Sequence, residues 1–492
     1  MNEIVLFGAG KVGVHAIEHF GRNRIKYVID NDENKWGKTL ESIEIISFES
    51  YLNRLELQEY DLVIAVGNSY ISQVESQVKE AKINRYYIYS KRSIDKVSEI
   101  LHHLRVDEKI VLFGVDLHDI AIVDILDFDK VELAGISDFE DSDKIGKKID
   151  KYTIESPLRY KDLNVSFLVL DSFFYVAADE YLKQVIGDEA RIINPYRKKG
   201  YFDGRILVNP YKDRQTETTE DSWNASLVDS YTIKAVDKYV QVVKDHVPLF
   251  RFIEIETYNR CNGSCSFCPV SKNNDPRDEH KMSWELFKKI INNLADLNYD
   301  GELCTFSNNE PFLDERIIEM NAYAREKLPN ARMHLYTNGT LLTMEKFHGI
   351  MKYLDELIID NYQQELKLIK PVQEIYDYLM SHDEYNGRVS IVLRKPIEIL
   401  TSRGGDAPNR LNVKSFPENG CALLFEQMII RPDGKVSLCC NDPLGKNTLG
   451  DATKQTLEEI WYGAPYSRIR SLVAEGRENW EHCKNCDTFY IY

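Results

Sequence analysis

The sequence Cys261-Asn-Gly-Ser-Cys265-Ser-Phe-Cys268 places three thiols in one short loop, directly after the strand-like segment 250–256. Thiolates are soft ligands that select iron–sulfur clusters or zinc, and a fourth cysteine is missing from this stretch. Three thiolates hold three corners of a cubic cluster and leave one iron open to a substrate. The alternatives are a group of free thiols and a zinc knuckle, which usually takes four ligands in paired spacings.

The spacing Cys-x3-Cys-x2-Cys, with an aromatic residue just before the third cysteine, resembles the motif of the radical S-adenosylmethionine (radical SAM) enzymes. This resemblance implies a 4Fe–4S cluster on Cys261, Cys265 and Cys268, with SAM bound at the open iron. It also places Phe267 in the cofactor site.

Two later turns resemble segments with which the same family binds SAM. Ser307-Asn-Asn-Glu-Pro311 resembles the Gly-Gly-Glu-Pro segment that receives the SAM amino group, although both glycines are asparagine here. A carboxylate in this turn is a suitable acceptor for an ammonium group. Tyr336-Thr-Asn-Gly339 resembles the Thr-Asn-Gly turn near the SAM ribose, although Asn-Gly alone only indicates a turn. The resemblance therefore assigns to SAM binding Asn309, Glu310, Pro311, Thr337 and Asn338.

Two arginines follow the fifth predicted strand of this half, Arg394 directly and Arg403 in the segment Thr401-Ser-Arg-Gly-Gly405. A cation at this place pairs with a carboxylate or with a substrate oxygen. We expect Arg394 to bind the SAM carboxylate and Arg403 to act as a catalytic residue on a substrate oxygen. The alternative is that either arginine is a solvated loop charge.

The pattern of strand and helix repeats between residues 248 and 412. Repeated βα units predict an α/β fold with a parallel sheet curled into a partial barrel. The resemblance implies that this is the partial (β/α)6 barrel of the radical SAM core. In such sheets, ligands lie at the C-terminal ends of the strands, where the motif residues fall.

Residues 413–492 carry a second group of cysteines around a predicted hairpin, strands 427–430 and 435–438. Their spacing resembles the auxiliary-cluster domain called SPASM, in its one-cluster form, Twitch. The resemblance implies a second 4Fe–4S cluster ligated by Cys421, Cys439, Cys483 and Cys486. Cys439 is preferred over Cys440 because it follows Gly434 at the family's spacing. A four-cysteine zinc site is the alternative, since spacing alone does not separate the metals.

The first hundred residues contain a strand, the turn Gly8-Ala-Gly10-Lys-Val-Gly13, an apolar helix and a second strand that ends in Asp30. This order is the Rossmann fingerprint, in which the glycines let the turn approach a phosphate. It predicts a Rossmann-like domain over 1–100 that binds a nucleotide through Gly8, Gly10, Gly13 and Asp30. The domain resembles the N-terminal domains of nucleotide-sugar-modifying enzymes, which implies a nucleotide or nucleotide-sugar ligand. Hydride chemistry and a purely structural domain are the alternatives.

The pattern then repeats, because Val111-Leu-Phe-Gly-Val-Asp116 corresponds to Val5-Leu-Phe-Gly-Ala-Gly10. We predict a degenerate second Rossmann-like repeat over 101–200. Asp116 and Asp119 replace the later glycines, and Asp119 adds charge and bulk where a pyrophosphate would approach, so we expect the first copy alone to bind a nucleotide. Residues 201–247 are predicted to be a linker with one helix over 232–246.

The composition limits the possible partners. The chain has 492 residues, and its net charge of -17 argues against a nucleic-acid or anionic membrane partner. Neither an apolar run of ~18–20 residues nor the basic start of a signal peptide is present. All nine cysteines lie after residue 260, which indicates metal binding rather than a disulfide framework. We therefore expect a cytoplasmic protein.

The resemblance implies a radical mechanism. One electron, from a reductant such as flavodoxin or ferredoxin, cleaves SAM to methionine and a 5′-deoxyadenosyl radical, which abstracts hydrogen from a C–H group. Twitch enzymes include aminocyclitol dehydrogenases whose auxiliary cluster accepts an electron. We therefore expect an oxidoreductase that dehydrogenates or epimerises a sugar, polyol or nucleotide sugar. Peptide or protein modification is the runner-up, and a non-enzymatic nucleotide or redox sensor is a further alternative.

Overall fold

The computed structural model describes residues 3–54, 59–104, 108–116, 118–126, 131–149, 151–171, 174–197, 202, 204–213, 230–410 and 416–488. The chain divides into two compact units, one of Met1–Arg197 with Asp229–Tyr231 and the other of Lys198–Val228 with Thr232–Tyr492. Among the described residues, no helix combines the length and the apolar character needed to cross a membrane.

The first unit contains two successive α/β copies. The first copy consists of β1 (Ile4–Phe7), α1 (Lys11–Phe20), β2 (Ile25–Ile29), β3 (Thr39–Leu40), β4 (Ile43–Ile46), α2 (Phe48–Asn53), β5 (Asp61–Ile64), α3 (Asn68–Glu80), β6 (Tyr86–Ile88) and α4 (Lys91–His103). The second copy consists of β7 (Lys109–Phe113), α5 (Ile120–Leu126), β8 (Glu132–Ser137), β9 (Lys148–Ile149), β10 (Tyr152–Glu155), β11 (Ser166–Val169), α6 (Tyr175–Ile186) and β12 (Arg191–Ile193).

The two copies have the same sheet topology. The strand order is β3-β4-β2-β1-β5-β6 in the first and β9-β10-β8-β7-β11-β12 in the second. Each sheet is parallel apart from one antiparallel edge hairpin, and its strand order reverses beside the first strand, as in doubly wound folds. The central strands are apolar because helices cover both faces of such a sheet. The predicted repeat is therefore present.

The degenerate turn of the second copy packs against edge strand β6 of the first. The Ile88 N–H donates to the carbonyl of His118 at 2.5 Å. The His118 ring stacks on Tyr86 with 3.9 Å between ring centroids, and Asp116 accepts the His118 N–H at 2.9 Å. The turn that carries Asp116 in place of a glycine thus helps to join the two copies through His118.

The second unit is built on one nine-stranded sheet. Its elements are β13 (Leu207–Val208), α7 (Pro210–Asp213), α8 (Ser230–Val243), β14 (Phe252–Ile255), α9 (Trp284–Asp296), β15 (Glu302–Cys304), α10 (Ile317–Lys327), β16 (Arg332–Thr337), α11 (Met344–Met351), β17 (Glu356–Tyr362), α12 (Lys370–Ser381), β18 (Val389–Arg394), α13 (Leu423–Glu426), β19 (Gln427–Ile430), β20 (Lys435–Ser437), β21 (Thr448–Asp451), α14 (Leu457–Trp461), α15 (Ala464–Glu475) and α16 (Glu481–Lys484). The strand order is β13-β18-β17-β16-β15-β14-β19-β20-β21.

Strands β14 to β18 follow one another in chain order and are parallel, so the open, partial barrel is confirmed. The predicted hairpin is formed by β19 and β20, but β19 also pairs in parallel with β14. The sheet therefore continues across the predicted boundary at 412/413. The segment 201–247 was predicted to be a linker, but part of it is a strand of the same sheet, because β13 pairs with β18. Residues 214–229 of that segment lie outside the described residues.

Candidate active site

The three clustered cysteines lie in the loop that follows β14, at the C-terminal ends of the parallel strands. Backbone hydrogen bonds hold the loop: Ser266 N–H donates to the Pro396 carbonyl at 2.9 Å, and Lys272 N–H donates to the Gly263 carbonyl at 3.0 Å. Burial raises the pKa of Cys261 to about 11 and that of Cys265 to about 12, and the neighbouring thiols add to both rises. A cationic centre that binds thiolates would compensate this cost of ionisation.

The Glu310 carboxylate connects the two predicted SAM-binding turns. It accepts hydrogen bonds from the Thr337 hydroxyl and from the Asn338 N–H, both at 2.8 Å, and from the Phe312 N–H at 3.1 Å. Burial raises the pKa of Glu310 to about 6, and these hydrogen bonds limit the rise. The carboxylate therefore also shapes the turn that follows β16.

Asn338 extends the connection to the cysteine loop. Its side-chain amide donates to Asn262 Oδ1 at 2.8 Å and approaches Cys261 Sγ at 4.0 Å. The Gly263 N–H donates to the same sulfur at 3.3 Å. Three motifs that are far apart in the sequence thus meet through hydrogen bonds at one edge of the sheet.

Asn309 carries a buried donor that no described residue engages. Its Oδ1 accepts the Ser307 N–H at 3.1 Å, whereas Nδ2 has no hydrogen-bond partner among the described residues, although Asn309 is only 6% exposed. A buried amide donor of this kind indicates a ligand oxygen. Pro311 is buried in the turn after it, and the Phe267 ring packs against Tyr362 with 5.8 Å between centroids.

The two predicted arginines have different surroundings. The Arg394 guanidinium lies 3.6 Å from Asp360 Oδ1 and 3.4 Å from Glu398 Oε2, so two carboxylates of the protein already compensate its charge. Its pairing with the SAM carboxylate stays a prediction. Arg403 instead donates to the side chain of Asn308, directly beside the turn that contains Asn309.

Arg277 is a site residue that the sequence reasoning missed. Its guanidinium pairs with Glu256 at 3.1 Å and with Asp275 at 2.9 Å, and it donates to the carbonyls of Asn259 and Asn308 at 3.2 Å. It therefore braces the end of β14 against the turn after β15. An arginine in a polar loop shows no periodicity, so the sequence offered no signal for this role.

The second group of thiols comes from three separate parts of the chain. Cys421 precedes α13, Cys439 follows β20, and the Cys483-Lys-Asn-Cys486 segment begins in α16. Burial raises the pKa of Cys439 well above its usual value, and the thiols of Cys440, Cys486, Cys421 and Cys483 add to the rise. These four C-terminal thiols therefore lie near Cys439.

The surroundings of Cys440 distinguish it from Cys439. Burial raises the pKa of Cys440 to about 12, the charge of Glu254 adds to the rise, and Arg403 opposes it. The thiol of Cys486 also adds to the rise, and a hydrogen bond with the Gln427 side chain opposes it. Cys440 thus lies near Glu254 and Arg403, and the assignment of Cys439 as the cluster ligand stays a prediction.

A second residue without a sequence signal is Arg477, whose side chain is buried beside this group. It is 1% exposed, and its Nε donates to the Gly420 carbonyl at 2.9 Å. Burial raises the pKa of Cys421 and of Cys483, and the positive charge of Arg477 opposes both rises. Arg477 therefore favours thiolates at this site.

Both groups suit iron–sulfur clusters. Within the described ranges, no three His, Cys, Asp or Glu side chains converge as the ligands of a single ion do. Thiolates are the usual ligands of four-iron clusters, and N–H donors to the sulfurs, such as that of Gly263, are typical of their surroundings. The residues present therefore fit a cluster.

In the first unit, the predicted nucleotide-binding residues have mixed roles. The Asp30 carboxylate accepts the Ala9 N–H at 2.8 Å and pairs with Lys35 at 3.1 Å, so it shapes the glycine turn. A Cβ on Gly13 would lie 2.0 Å from the Gly8 carbonyl oxygen, so Gly13 is required for packing. A Cβ on Gly10 would meet no atom within 4 Å. Of these residues, Gly10 is the one open to a ligand.

Comparison with known families agrees with the geometry of the second unit. Residues 255–369 match the radical SAM superfamily, and residues 421–487 match SPASM, an iron–sulfur cluster-binding domain. The chain therefore contains a radical SAM domain followed by a SPASM domain, and its cofactors are SAM and 4Fe–4S clusters, one of them auxiliary. The predicted fold class, enzyme class and cofactors are confirmed.

Individual proteins are also similar to parts of this chain. The chain is 27% identical over 248 residues to the S-adenosyl-L-methionine-dependent 2-deoxy-scyllo-inosamine dehydrogenase of Niallia circulans, covering 49% of this chain and 95% of that protein. It is 36% identical over 86 residues to the Fe-coproporphyrin III synthase of Methanosarcina barkeri, covering 18% and 20%. The crystal structure of BtrN in complex with AdoMet and 2-DOIA is 24% identical with a TM-score of 0.43, covering 50% of this chain and 98% of that one.

Proposed function

We propose that this chain is a radical SAM oxidoreductase that acts on a C–H group of a sugar, polyol or nucleotide sugar. The observation that carries the proposal is the hydrogen-bonded connection of the Cys261 loop, Glu310 and the Thr337–Asn338 turn. The similarity to a dehydrogenase whose name specifies an aminocyclitol supports the substrate class.

The ligands of both clusters follow from the two thiol groups. Cys261, Cys265 and Cys268 would hold the SAM-binding cluster, and the second cluster would be held by Cys421, Cys439, Cys483 and Cys486. When bound, the first cluster and SAM supply a 5′-deoxyadenosyl radical, and the second cluster supplies an electron acceptor.

The residues around the first thiol group bind and orient SAM. Glu310 is an acceptor for the SAM ammonium and also holds the Thr337–Asn338 turn in place. The Nδ2 donor of Asn309, which has no partner within the described ranges, suits the SAM carboxylate. Because both side chains are buried, the site excludes water from the reactive groups.

The test is turnover of anaerobically reconstituted protein with dithionite, SAM and a substrate panel that begins with 2-deoxy-scyllo-inosamine. The panel continues with other cyclitols, hexoses and nucleotide hexoses, each deuterated at its ring carbons. We expect deuterium in 5′-deoxyadenosine together with a carbonyl product from at least one ring substrate. SAM cleavage without deuterium transfer from any of them would contradict the substrate class.

We also propose a cytoplasmic location and a flavodoxin or ferredoxin as reductant, because reduction of the cluster requires an electron donor of low potential. The acidic chain favours neither nucleic acid nor an anionic membrane as a partner. Replacing dithionite by reduced flavodoxin tests the reductant, and failure to support SAM cleavage would argue against it.

The first copy of the front unit is proposed to bind a nucleotide or nucleotide sugar at its glycine turn. Gly10→Glu should abolish binding, because it adds bulk and negative charge in a space that is open in the protein. Asp116→Glu, in the degenerate copy, should leave binding unchanged. Calorimetry with UDP, NAD and UDP-glucose measures this, and no heat with the intact protein would identify the unit as a scaffold.

A further inference from the structure

Glu254 is a carboxylate within the otherwise apolar strand β14. Its neighbours Ile253 and Ile255 are buried, whereas Glu254 itself is partly exposed. Gln427 Nε2 donates to Glu254 Oε1 at 2.9 Å, and the nearby Ser307 side chain lowers the pKa of the carboxyl group. Burying a charged side chain in such a sheet costs folding free energy unless a partner compensates the charge. A carboxylate at this point therefore indicates a function.

Arg403 is directed toward the same place by a firmly held loop. The preceding Ser402 donates through its N–H to Asp487 at 2.8 Å and through its hydroxyl to the Asn485 carbonyl at 2.8 Å. A Cβ on Gly404 would lie 2.1 Å from His482 Nε2, so the loop fits closely against the segment that carries the last two cysteines. Arg403 itself has a left-handed backbone, with a φ of 53°. Such strain is characteristic of functional positions.

The neighbours of Glu254 belong to segments that lead to both thiol groups. On one side, Gln427 Oε1 accepts the Cys440 N–H at 3.1 Å, which links Glu254 to the residue after Cys439. On the other side, Ser307 begins the turn that ends in Glu310, the centre of the predicted SAM site. Glu254 is therefore connected to both sites where the chemistry is expected.

We propose that Glu254 is the catalytic residue that accepts the hydroxyl proton of the substrate, while Arg403 and Asn308 bind the adjacent substrate oxygens. This inference rests on the proposed function and extends it to a substrate site. A carboxylate, a guanidinium and amides recognise a ring that bears several hydroxyl or amino groups.

The atoms and electrons balance in this scheme. With SAM and its cluster bound, the hydrogen atom of the substrate H–C–OH group would pass to the SAM-derived radical and give 5′-deoxyadenosine. The remaining C–OH carbon would lose its hydroxyl proton to Glu254, and its electron would pass to the auxiliary cluster that Cys421, Cys439, Cys483 and Cys486 would hold. The C–O bond becomes a carbonyl, so the substrate is oxidised by two electrons in total.

The charges that face Glu254 give the reaction a pH dependence with a definite sign. Burial raises the pKa of Glu254 to about 7, the Ser307 hydrogen bond and Arg403 lower it, and Glu256 raises it. The other titratable groups that face it are Cys304 on β15 and Cys440. Because only the carboxylate form accepts a proton, proton removal should increase as the pH rises through about 7.

The test compares Glu254→Gln with Glu254→Asp in the reconstituted full chain. Gln keeps the size and a hydrogen-bond acceptor but removes the base, whereas Asp keeps the base. The readouts are iron content, 5′-deoxyadenosine formed from SAM, and the ratio of carbonyl product to 5′-deoxyadenosine between pH 6 and 8. The probe is the first ring substrate of the panel that gives product, beginning with 2-deoxy-scyllo-inosamine.

We expect Glu254→Gln to keep the wild-type iron content and to cleave SAM, with the product ratio reduced at least tenfold and independent of pH. Glu254→Asp should recover much of the ratio and its rise with pH. A wild-type ratio and pH profile in Glu254→Gln would overturn the inference and leave the proposed function intact. If Glu254→Gln loses its iron, the test is the pH profile of the wild-type enzyme. A wild-type product ratio that does not change between pH 6 and 8 would also overturn the inference. No ring product from the wild-type enzyme would overturn both proposals.

Discussion

The two thiol groups of the second unit differ in how they are assembled and in the charge beside them. The first group lies in a single loop, and the Glu310 carboxylate opposes ionisation of Cys261, which burial already disfavours. The second group is collected from three segments, and the Arg477 guanidinium favours ionisation of Cys421 and Cys483. Negative charge favours the oxidised state of a cluster and positive charge the reduced state. The charge beside the thiols therefore differs in sign between the two groups.

The largest effect is expected from replacing the first group, Cys261, Cys265 and Cys268, together by Ala. Wild-type protein should bind about eight irons per chain and the variant about four, because one of two four-iron clusters is lost. SAM cleavage should fall to background, since no other cluster has an open iron. Iron analysis and 5′-deoxyadenosine assays measure this, and stoichiometric zinc with no iron in the wild type would refute both cluster sites.

Removing the second thiol group should separate SAM cleavage from the formation of the oxidised product. Cys483→Ala with Cys486→Ala should again retain about four irons, and 5′-deoxyadenosine should still form. The oxidised product should disappear because its electron acceptor is lost.

Circular dichroism is the control for the double variant, because metal binding and local folding are coupled. Full product at the normal rate from the folded double variant would show that the reaction is redox-neutral.

Glu310→Ala should weaken SAM binding by about 10- to 100-fold, because a charge-assisted hydrogen bond is worth about 1.5–3 kcal/mol. The substitution also removes the acceptor that holds Thr337 and Asn338. Calorimetry with SAM under anaerobic conditions measures the change. Glu319→Ala, on the exposed face of α10, is the matched control. Equal affinity in both variants would exclude Glu310 from the SAM site.

Arg477→Gln should make the reduction potential of the second cluster more negative, because a buried positive charge beside the thiolates is removed. Arg477→Lys keeps the charge and should shift the potential less. Redox titration followed by electron paramagnetic resonance measures both, in the variant that lacks the first group. An unchanged potential in folded Arg477→Gln would show that the guanidinium has only a structural role.

The smallest effect is expected for Cys440→Ser, which should leave the iron content at the wild-type value. Cys439→Ser should instead reduce it toward about four irons per chain, because Cys439 is the proposed ligand. Loss of iron from Cys440→Ser alone would reverse the assignment of these neighbouring cysteines.

Motifs whose chemistry is contained in a short stretch were predictable from the sequence. The Cys261–Cys268 loop follows β14 as expected, and the predicted hairpin is formed by β19 and β20. The repeated α/β pattern of the front half was equally visible, since apolar strands and glycine turns have local signatures. Periodicity does not report which strand lies beside which, so the pairings of β13 with β18 and of β19 with β14 were not foreseen.

By itself, the sequence determined the class of chemistry, because ligand identity and spacing within one loop limit which cofactor is held. It also determined that the second copy of the front half lacks the glycines of a phosphate turn. Only the tertiary structure decided that Cys440 lies near Glu254 and Arg403, and that Arg394 is already paired with carboxylates. The same holds for Arg277, Arg477 and Glu254. The physical reason is that the role of a charged side chain depends on burial and on partners distant in the chain, which spacing does not encode.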